Sequence, residues 1–460
     1  MLSGLCAAVR ALTAPSGAQS SSVEPSGPNP CPRQAALYNG KIQIGKQNGN
    51  SGLTALPAGF LAVALCCGAL ALGDEPQVTS APTIRVATAI NDFGFRLLRA
   101  LTPAPEGNVI ISPLSVSLGL AMARSGAAGE TKSAMARTLA VAPFNDEELN
   151  RGNRALLEVL ERADPAVRIE IANALWAQSG FPINPDFLKL SERFYEAAVD
   201  SLDFAQDPQK AADTINAWVN RKTRGKIPTI VHSADRTTRL IITDAVYFKG
   251  RWTSPFDKKA TERGPFYLPG GATAEVPLMV QIGKYPYFET DSFQAVRLPY
   301  GNQRFAMYVF LPRKRDGLPG LMGSLDQRHW SEWTGRFAER KGRITLPRLH
   351  LSYAKSLNDP LKSMGMAVAF DSMGADFSRI HPPPPPLFIQ DVQHKTYVEL
   401  DEKGTRAAAV TSVEIGVAMA QINEPAPFEM VVNHPFFCAI AEQQSGALLF
   451  AGIVTNPAHN

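Results

Sequence analysis

Between Glu402 and Met419 the chain reads Glu-Lys-Gly-Thr-Arg-Ala-Ala-Ala-Val-Thr-Ser-Val-Glu-Ile-Gly-Val-Ala-Met, which combines the alternation of a strand with the glycine-led start of a loop. Every second residue from Thr405 is small or apolar: Thr405, Ala407, Ala409, Thr411, Val413, Ile415 and Val417. The other register holds Arg406, Ser412 and Glu414. Side chains on a strand alternate between its two faces, so this is the pattern of a half-buried strand. A strand by itself has nothing to bury that face against. The segment therefore calls for a sheet able to accept it, and its leading alanines would enter between existing strands with little steric demand.

The rest of the 460-residue chain supplies enough length for such a sheet even when the first eighty or so residues are set aside, whether as one large core or two smaller ones. The net charge is +4, with no lysine or arginine run of the kind that makes a nucleic-acid or heparin patch, so no nucleic-acid partner is expected. Gly-x-Ser-x-Gly, His-Glu-x-x-His and phosphate-loop motifs are absent, and the seven histidines are scattered. A Ser-His-Asp triad would have to come from distant positions with no local signature. Neither an enzyme nor a metal or cofactor site is expected. Of the five cysteines, Cys6, Cys31, Cys66 and Cys67 precede the folded part, which leaves Cys438 alone and unable to form an internal disulfide.

The apolar run Ala55 to Leu72 ends in Ala69-Leu70-Ala71, the small-x-small pattern of a signal-peptidase site, and is followed by Gly73-Asp74-Glu75-Pro76. Residues 1–52, rich in Ser, Gly, Asn and Pro, are expected to be a disordered leader or the product of a start codon set too far upstream. Residues 53–73 read as signal-peptide-like and 74–85 as a linker. The protein is thus expected to be secreted or periplasmic. The alternative is a membrane anchor over residues 55–72, against which Pro57, Gly59 and the marginal length count.

Helical periodicity dominates the next part. Ile90, Phe93, Leu97, Leu98 and Leu101 line one face of a helix ending near Pro103, and Ser115 to Ala123 and Thr131 to Leu139 form two more. Strand signals follow at Arg168 to Ala177, Arg239 to Tyr247, Phe305 to Leu311, Ile344 to Leu351, Thr396 to Leu400, Phe436 to Ala441 and Leu448 to Val454. Strands dispersed among helices without regular alternation indicate an α+β domain. His381 and the run Pro382 to Pro386 predict an extended surface loop.

The segment Glu402-Lys403-Gly404-Thr405-Arg406-Ala407-Ala408-Ala409 resembles the hinge of the serpins, the serpin-type protease inhibitors. Further blocks match in family order: Asn108 with Ser112-Pro113-Leu114-Ser115 and Gly126 to Thr131; Ile215 to Val219 with Thr223 to Ile227; Asp244 to Trp252; Ala375 to Ser378; Asp391 to Lys395; and Val432 to Phe437. The resemblance covers residues 86–460 and implies one domain, a serpin fold. Its parts would be a large central mixed β-sheet, two smaller sheets, about nine surrounding helices and an exposed reactive-centre loop near 402–427. It implies a monomer whose partner is a serine protease. The protease would cleave the loop as a suicide substrate, and the loop would insert into the central sheet with the protease held as a covalent acyl complex.

By the same resemblance Glu402, Lys403, Gly404, Thr405, Ala407, Ala408, Ala409 and Thr411 form the hinge. Counting about fourteen positions from Gly404 sets the reactive bond at Ala418–Met419, with Val417 as alternate. No Lys, Arg, Phe, Tyr or Trp lies between Val410 and Gln421, which suits the shallow pocket of an elastase-like or subtilisin-like protease. Ser112, Ser115, Asp244 and His394 would form the polar cluster, or shutter, beneath the sheet, and Trp252 would sit at the breach where the sheet opens. Asp244 stands where the family usually has Asn, and a carboxylate beside an imidazole is expected to favour the charged histidine. The segment 146–163, where some serpins carry a basic cofactor-binding helix, holds Asp146, Glu147, Glu148, Glu158 and Glu161, so heparin-type activation is not expected. Arg406 and Val410 depart from the family. The alternative function is that of a non-inhibitory serpin acting as a carrier, chaperone or binding protein.

Overall fold

The computed structural model describes residues 80–102, 107–404 and 425–458. The scissile pair Ala418–Met419, its alternate Val417, and Thr405, Ala407, Ala408, Ala409 and Thr411 lie outside the described residues, as does the whole leader. Among the described residues no helix is long and apolar enough to cross a membrane.

The first helix, α1 (Ala81–Leu101), buries Ile90, Phe93, Leu97 and Leu98 along one face, and it stops just before Pro103, whose ring disfavours helical backbone in the preceding residue. Helix α2 (Pro113–Ser125) is buried along its whole length and starts on a side-chain cap, with Ser112 Oγ accepting from the Ser115 amide and Pro113 in the first turn. Then come α3 (Gly129–Thr138), α4 (Asp146–Arg162), α5 (Pro185–Tyr195) and α6 (Pro208–Lys222). The acidic segment read at 146–163 is α4, whose first turn Asp146-Glu147-Glu148 complements the helix dipole and closes a capping box with Asn145.

In chain order the strands are β1 (Val109–Ile111), β2 (Val167–Gln178), β3 (Ala198–Leu202), β4 (Leu240–Gly250), β5 (Glu262–Tyr267), β6 (Thr273–Glu289) and β7 (Phe293–Tyr300). After them come β8 (Phe305–Pro312), β9 (Ala338–Pro347), β10 (Leu349–Ser356), β11 (Asp391–Leu400), β12 (Phe428–Val431), β13 (Phe436–Glu442) and β14 (Leu448–Val454). They form two arrays. A five-stranded mixed sheet has the order β10-β11-β4-β2-β3, and a nine-stranded sheet runs β1-β14-β13-β8-β7-β6-β9-β12 with β5 attached to β6. The mixed sheet and the helices match the expected α+β architecture. The two smaller sheets are joined into one array because the 17-residue β6 takes part in both.

One expected strand is corrected. Ile344 to Leu351 is two strands in different sheets, β9 and β10, divided at Pro347-Arg348. Proline cannot donate to a ladder, and the Arg348 amide turns to the Pro277 carbonyl instead (2.9 Å).

The five-stranded sheet is covered on both faces near its middle. Ile242, Val246 and Phe248 of β4 join the main core with α1 and α2. Ile241 and Ala245, on the other face, pack with Trp176, Ala211, Ile215 and Val219 beneath α6. This is why β4 reads as a continuous apolar run while β11 alternates buried and half-buried residues.

Candidate functional site

The strands β4 and β11 lie side by side and parallel, paired from Asp391–Ile241 to Val398–Phe248. Their other neighbours, β2 and β10, are antiparallel to them. The chain leaves β11 at Leu400 and turns at once, the Gly404 amide donating to the Asp401 carbonyl (3.2 Å). A strand continuing back from that turn along the sheet would run antiparallel to β11. Since β4 is parallel to β11, it would be antiparallel to β4 as well. Entry at this seam would replace one parallel pairing with two antiparallel ones, and antiparallel ladders are slightly the more stable per residue.

Beneath the seam the register lines up Asn173 of β2, Asp244 of β4 and His394 of β11 in one row. All three are buried and meet the N-terminal half of α2. Ser115 Oγ donates to Asn173 Oδ1 (2.6 Å), and Asn173 Nδ2 donates back to the Ser115 carbonyl (2.9 Å). The Ser112 amide donates to His394 Nε2 (3.1 Å), and Thr396 Oγ1 donates to the Ile110 carbonyl (2.8 Å). The sequence-predicted Ser112, Ser115, Asp244 and His394 are thus brought together. Asn173 was missed; only its strand register places it there, and no motif singles it out.

The expected charged histidine is overturned. Burial lowers His394 to about 4, and its Nε2 already serves as an acceptor for an amide at the positive end of α2. Burial also pushes Asp244 well above the usual carboxylate range; it is fully buried and, among the described residues, neither carboxyl oxygen has a hydrogen-bond partner. A side-chain carbon on Gly119 of α2 would lie 2.5 Å from Asp244 Oδ1, so the bare glycine is what lets the carboxyl stand there. Burial favours the neutral form of both groups: the sequence supplied their proximity but not their desolvation.

At the end of the seam the turn 401–404 is tied down. Trp252 Nε1 donates to the Asp401 carbonyl (2.9 Å), and the indole stacks on Tyr300 with centroids 4.3 Å apart and planes 9° apart. Glu402 is 1% exposed; its carboxylate accepts from Arg348 and from Thr261 Oγ1 (2.8 Å), and its carbonyl accepts from the Phe256 amide (2.8 Å). Burial works against its ionisation, but the hydrogen bonds from Arg348 and Thr261 hold it below the usual glutamate range. Lys403 is exposed, and its amide donates to Asp401 Oδ1 (2.9 Å). Gly404 has φ +64°, and a Cβ there would come within 2.2 Å of the Trp252 nitrogen, so both conformation and space demand glycine. Among the described residues no cluster of potential metal ligands occurs.

A protein-family model described as "Serpin (serine protease inhibitor)" matches residues 88–457. An uncharacterized serpin-like protein of Thermococcus kodakarensis is 37% identical, covering 81% of this chain and 86% of the relative. The leukocyte elastase inhibitor of Bos taurus is 33% identical, covering 81% and 100%. Among solved structures, the native-state thermophilic serpin Tengpin superposes with a TM-score of 0.73 at 26% identity, covering 81% of this chain and 94% of that one. Human thyroxine-binding globulin does so with a TM-score of 0.74 at 26% identity, covering 82% and 100%.

Proposed function

Because the chain belongs to the serpin family, whose members are mostly protease inhibitors and not catalysts, we propose that it traps a serine-type endopeptidase by loop cleavage and insertion between β4 and β11. The observation that carries this reading is the parallel β4–β11 pairing, with the turn 401–404 closing the end of β11; a strand running back from that turn would be antiparallel to both neighbours. The protease attacks the Ala418–Met419 bond through its own serine. The cleaved segment then enters the seam with Thr405, Ala407, Ala409, Thr411, Val413 and Ile415 facing the core, and deacylation fails as the protease's catalytic geometry is lost. A strand of about a dozen residues gaining roughly 1 kcal/mol per ladder hydrogen bond, plus apolar burial, supplies on the order of 10 kcal/mol. That rivals the stability of a whole domain.

The absence of basic and aromatic residues near the bond favours elastase-like or subtilisin-like targets. The signal-like segment 53–73 supports a secreted or periplasmic location. The test is to mix the protein with an elastase and with a subtilisin and examine denaturing gels and the mass of the released peptide. A detergent-stable complex and a peptide beginning at Met419 are expected. Clean cleavage without a complex by every serine protease tried would instead favour a carrier role, the reading to which the likeness to thyroxine-binding globulin lends support.

A further inference from the structure

The strands β6 and β7 form a fork. Their pairing is limited to Tyr287–Glu289 against Gln294–Val296, after which they diverge. On this side of β6 the next strand, β5, pairs only with residues 273–278. Between these two contacts lies a cleft of about 370 Å³, within the range of small-molecule sites and too large for a packing defect. Its apolar walls include Trp252, Phe256, Tyr285, Leu298 and Pro299. Its floor is fixed by hydrogen bonds: Gln281 Nε2 donates to the Ser254 and Pro255 carbonyls (2.9 and 2.7 Å), and Tyr285 Oη donates to Gln281 Oε1 (2.8 Å).

Three charged side chains line the same cleft: Lys284, Arg297 and Glu339. Among the described residues, Arg297 hydrogen-bonds the neutral Gln443 (3.2 Å), and neither cation has a carboxylate within ion-pair distance. A cleft of mixed polar and apolar lining that carries two cations against one carboxylate favours an anion that also has an apolar part to set against Trp252, Phe256 and Leu298. One wall also belongs to the hinge, since Trp252 holds the Asp401 carbonyl and packs against Phe256, whose amide holds the Glu402 carbonyl.

We propose that this cleft binds a small amphipathic carboxylate and that occupancy braces Trp252 against the turn 401–404. The consequence, slower entry of the loop at the seam, rests on the insertion mechanism proposed above; ligand binding and bracing do not. Calorimetric titration of the protein with decanoate and with 1-naphthoate tests binding and separates an aliphatic from an aromatic acid. Decylamine is the cationic control. One site per molecule is expected for at least one of the acids and none for the amine. Arg297→Gln should weaken binding at least fivefold, and Glu339→Gln should tighten it about twofold. Absence of saturable binding by both acids, equal binding of the amine, or wild-type affinity in both Arg297→Gln and Lys284→Gln would overturn the site. Bracing is read by hydrogen exchange: saturating ligand should slow exchange of the amides in 250–256 and 400–404 at least threefold. Unchanged exchange there overturns the coupling. Neither readout involves a protease, so a failure of protease trapping is seen separately.

Discussion

His394 and Asp244 stand opposite each other across the parallel seam between β4 and β11, and burial drives both to their neutral forms. Their contributions to stability have opposite pH slopes. His394, depressed to about 4, contributes stability that is full above its unfolded value near 6.5 and is lost as pH falls toward 4. Asp244, raised, contributes stability that is full below its unfolded value of 3.8 and is lost as pH rises toward its folded value. Where both groups titrate the two slopes oppose each other, and above the unfolded histidine value near 6.5 His394 adds no further slope.

Asp244→Asn should therefore flatten the alkaline side of the profile. As pH rises above 3.8 toward the raised folded value of Asp244, the wild type is expected to lose melting temperature relative to the variant, which lacks the carboxyl. Spontaneous conversion to a loop-inserted latent form should show the same divergence with pH. Parallel profiles for the two proteins would show that the carboxyl does not set the pH response of the seam.

Arg348→Ala should cost about 2–3 kcal/mol of unfolding free energy, because it leaves the Glu402 carboxylate buried with Thr261 as its remaining side-chain donor. The partial exposure of Arg348 keeps this below the usual loss for breaking a buried pair. Glu402→Gln, which keeps the shape and one acceptor, should cost less. Urea midpoints check both, and equal losses would mean that the pair's charge contributes little.

Gly404→Ala meets both a left-handed backbone and a contact of 2.2 Å with the Trp252 nitrogen. The conformational part alone is about 1–2 kcal/mol. The turn should shift and loosen Trp252 from the Asp401 carbonyl, which a change in tryptophan emission and a lowered melting temperature would register. An unchanged spectrum and melting point would show that the turn has room to spare.

Ala409→Arg tests the inward register of the proposed inserting strand. A charge carried into the sheet core should stall insertion while leaving cleavage intact. The number of inhibitor molecules consumed per trapped protease should rise several-fold, read by titration against an elastase. Arg406→Glu, in the outward register, should change that number little.

Much of this was legible in the chain itself. The periodicity of α1 and the apolar runs of β2, β4, β13 and β14 predicted those elements, the helix because it buries one face and the strands because they are buried for much of their length. The end of β11 was read from Thr396 to Leu400. The fork was not legible: β6 carries Pro277, Gly283 and Pro286 along with polar residues, and only its partners β5, β7 and β9 hold such a sequence extended. The junction at Pro347-Arg348 was hidden for a related reason, since two apolar strands abut there with nothing between them to mark a change of sheet. The polar row was half legible. Ser112, Ser115, Asp244 and His394 came from motifs, Asn173 from register alone, and the sign of the charge effect required burial that spacing does not encode.

If the loop inserts as proposed, the position of the turn at one end of the β4–β11 pairing gives the insertion a direction. A strand growing back from Gly404 meets Val398–Phe248 first and Asp391–Ile241 last. The seam then opens like a zipper whose slider starts beside Trp252. Substitutions that loosen the pairing at Phe248 should speed the start of the run, whereas those at Ile241 should act only on its final steps. The row at Asp244 and His394 lies partway along that path, so under the proposed insertion it is a buried polar step the zipper would have to pass.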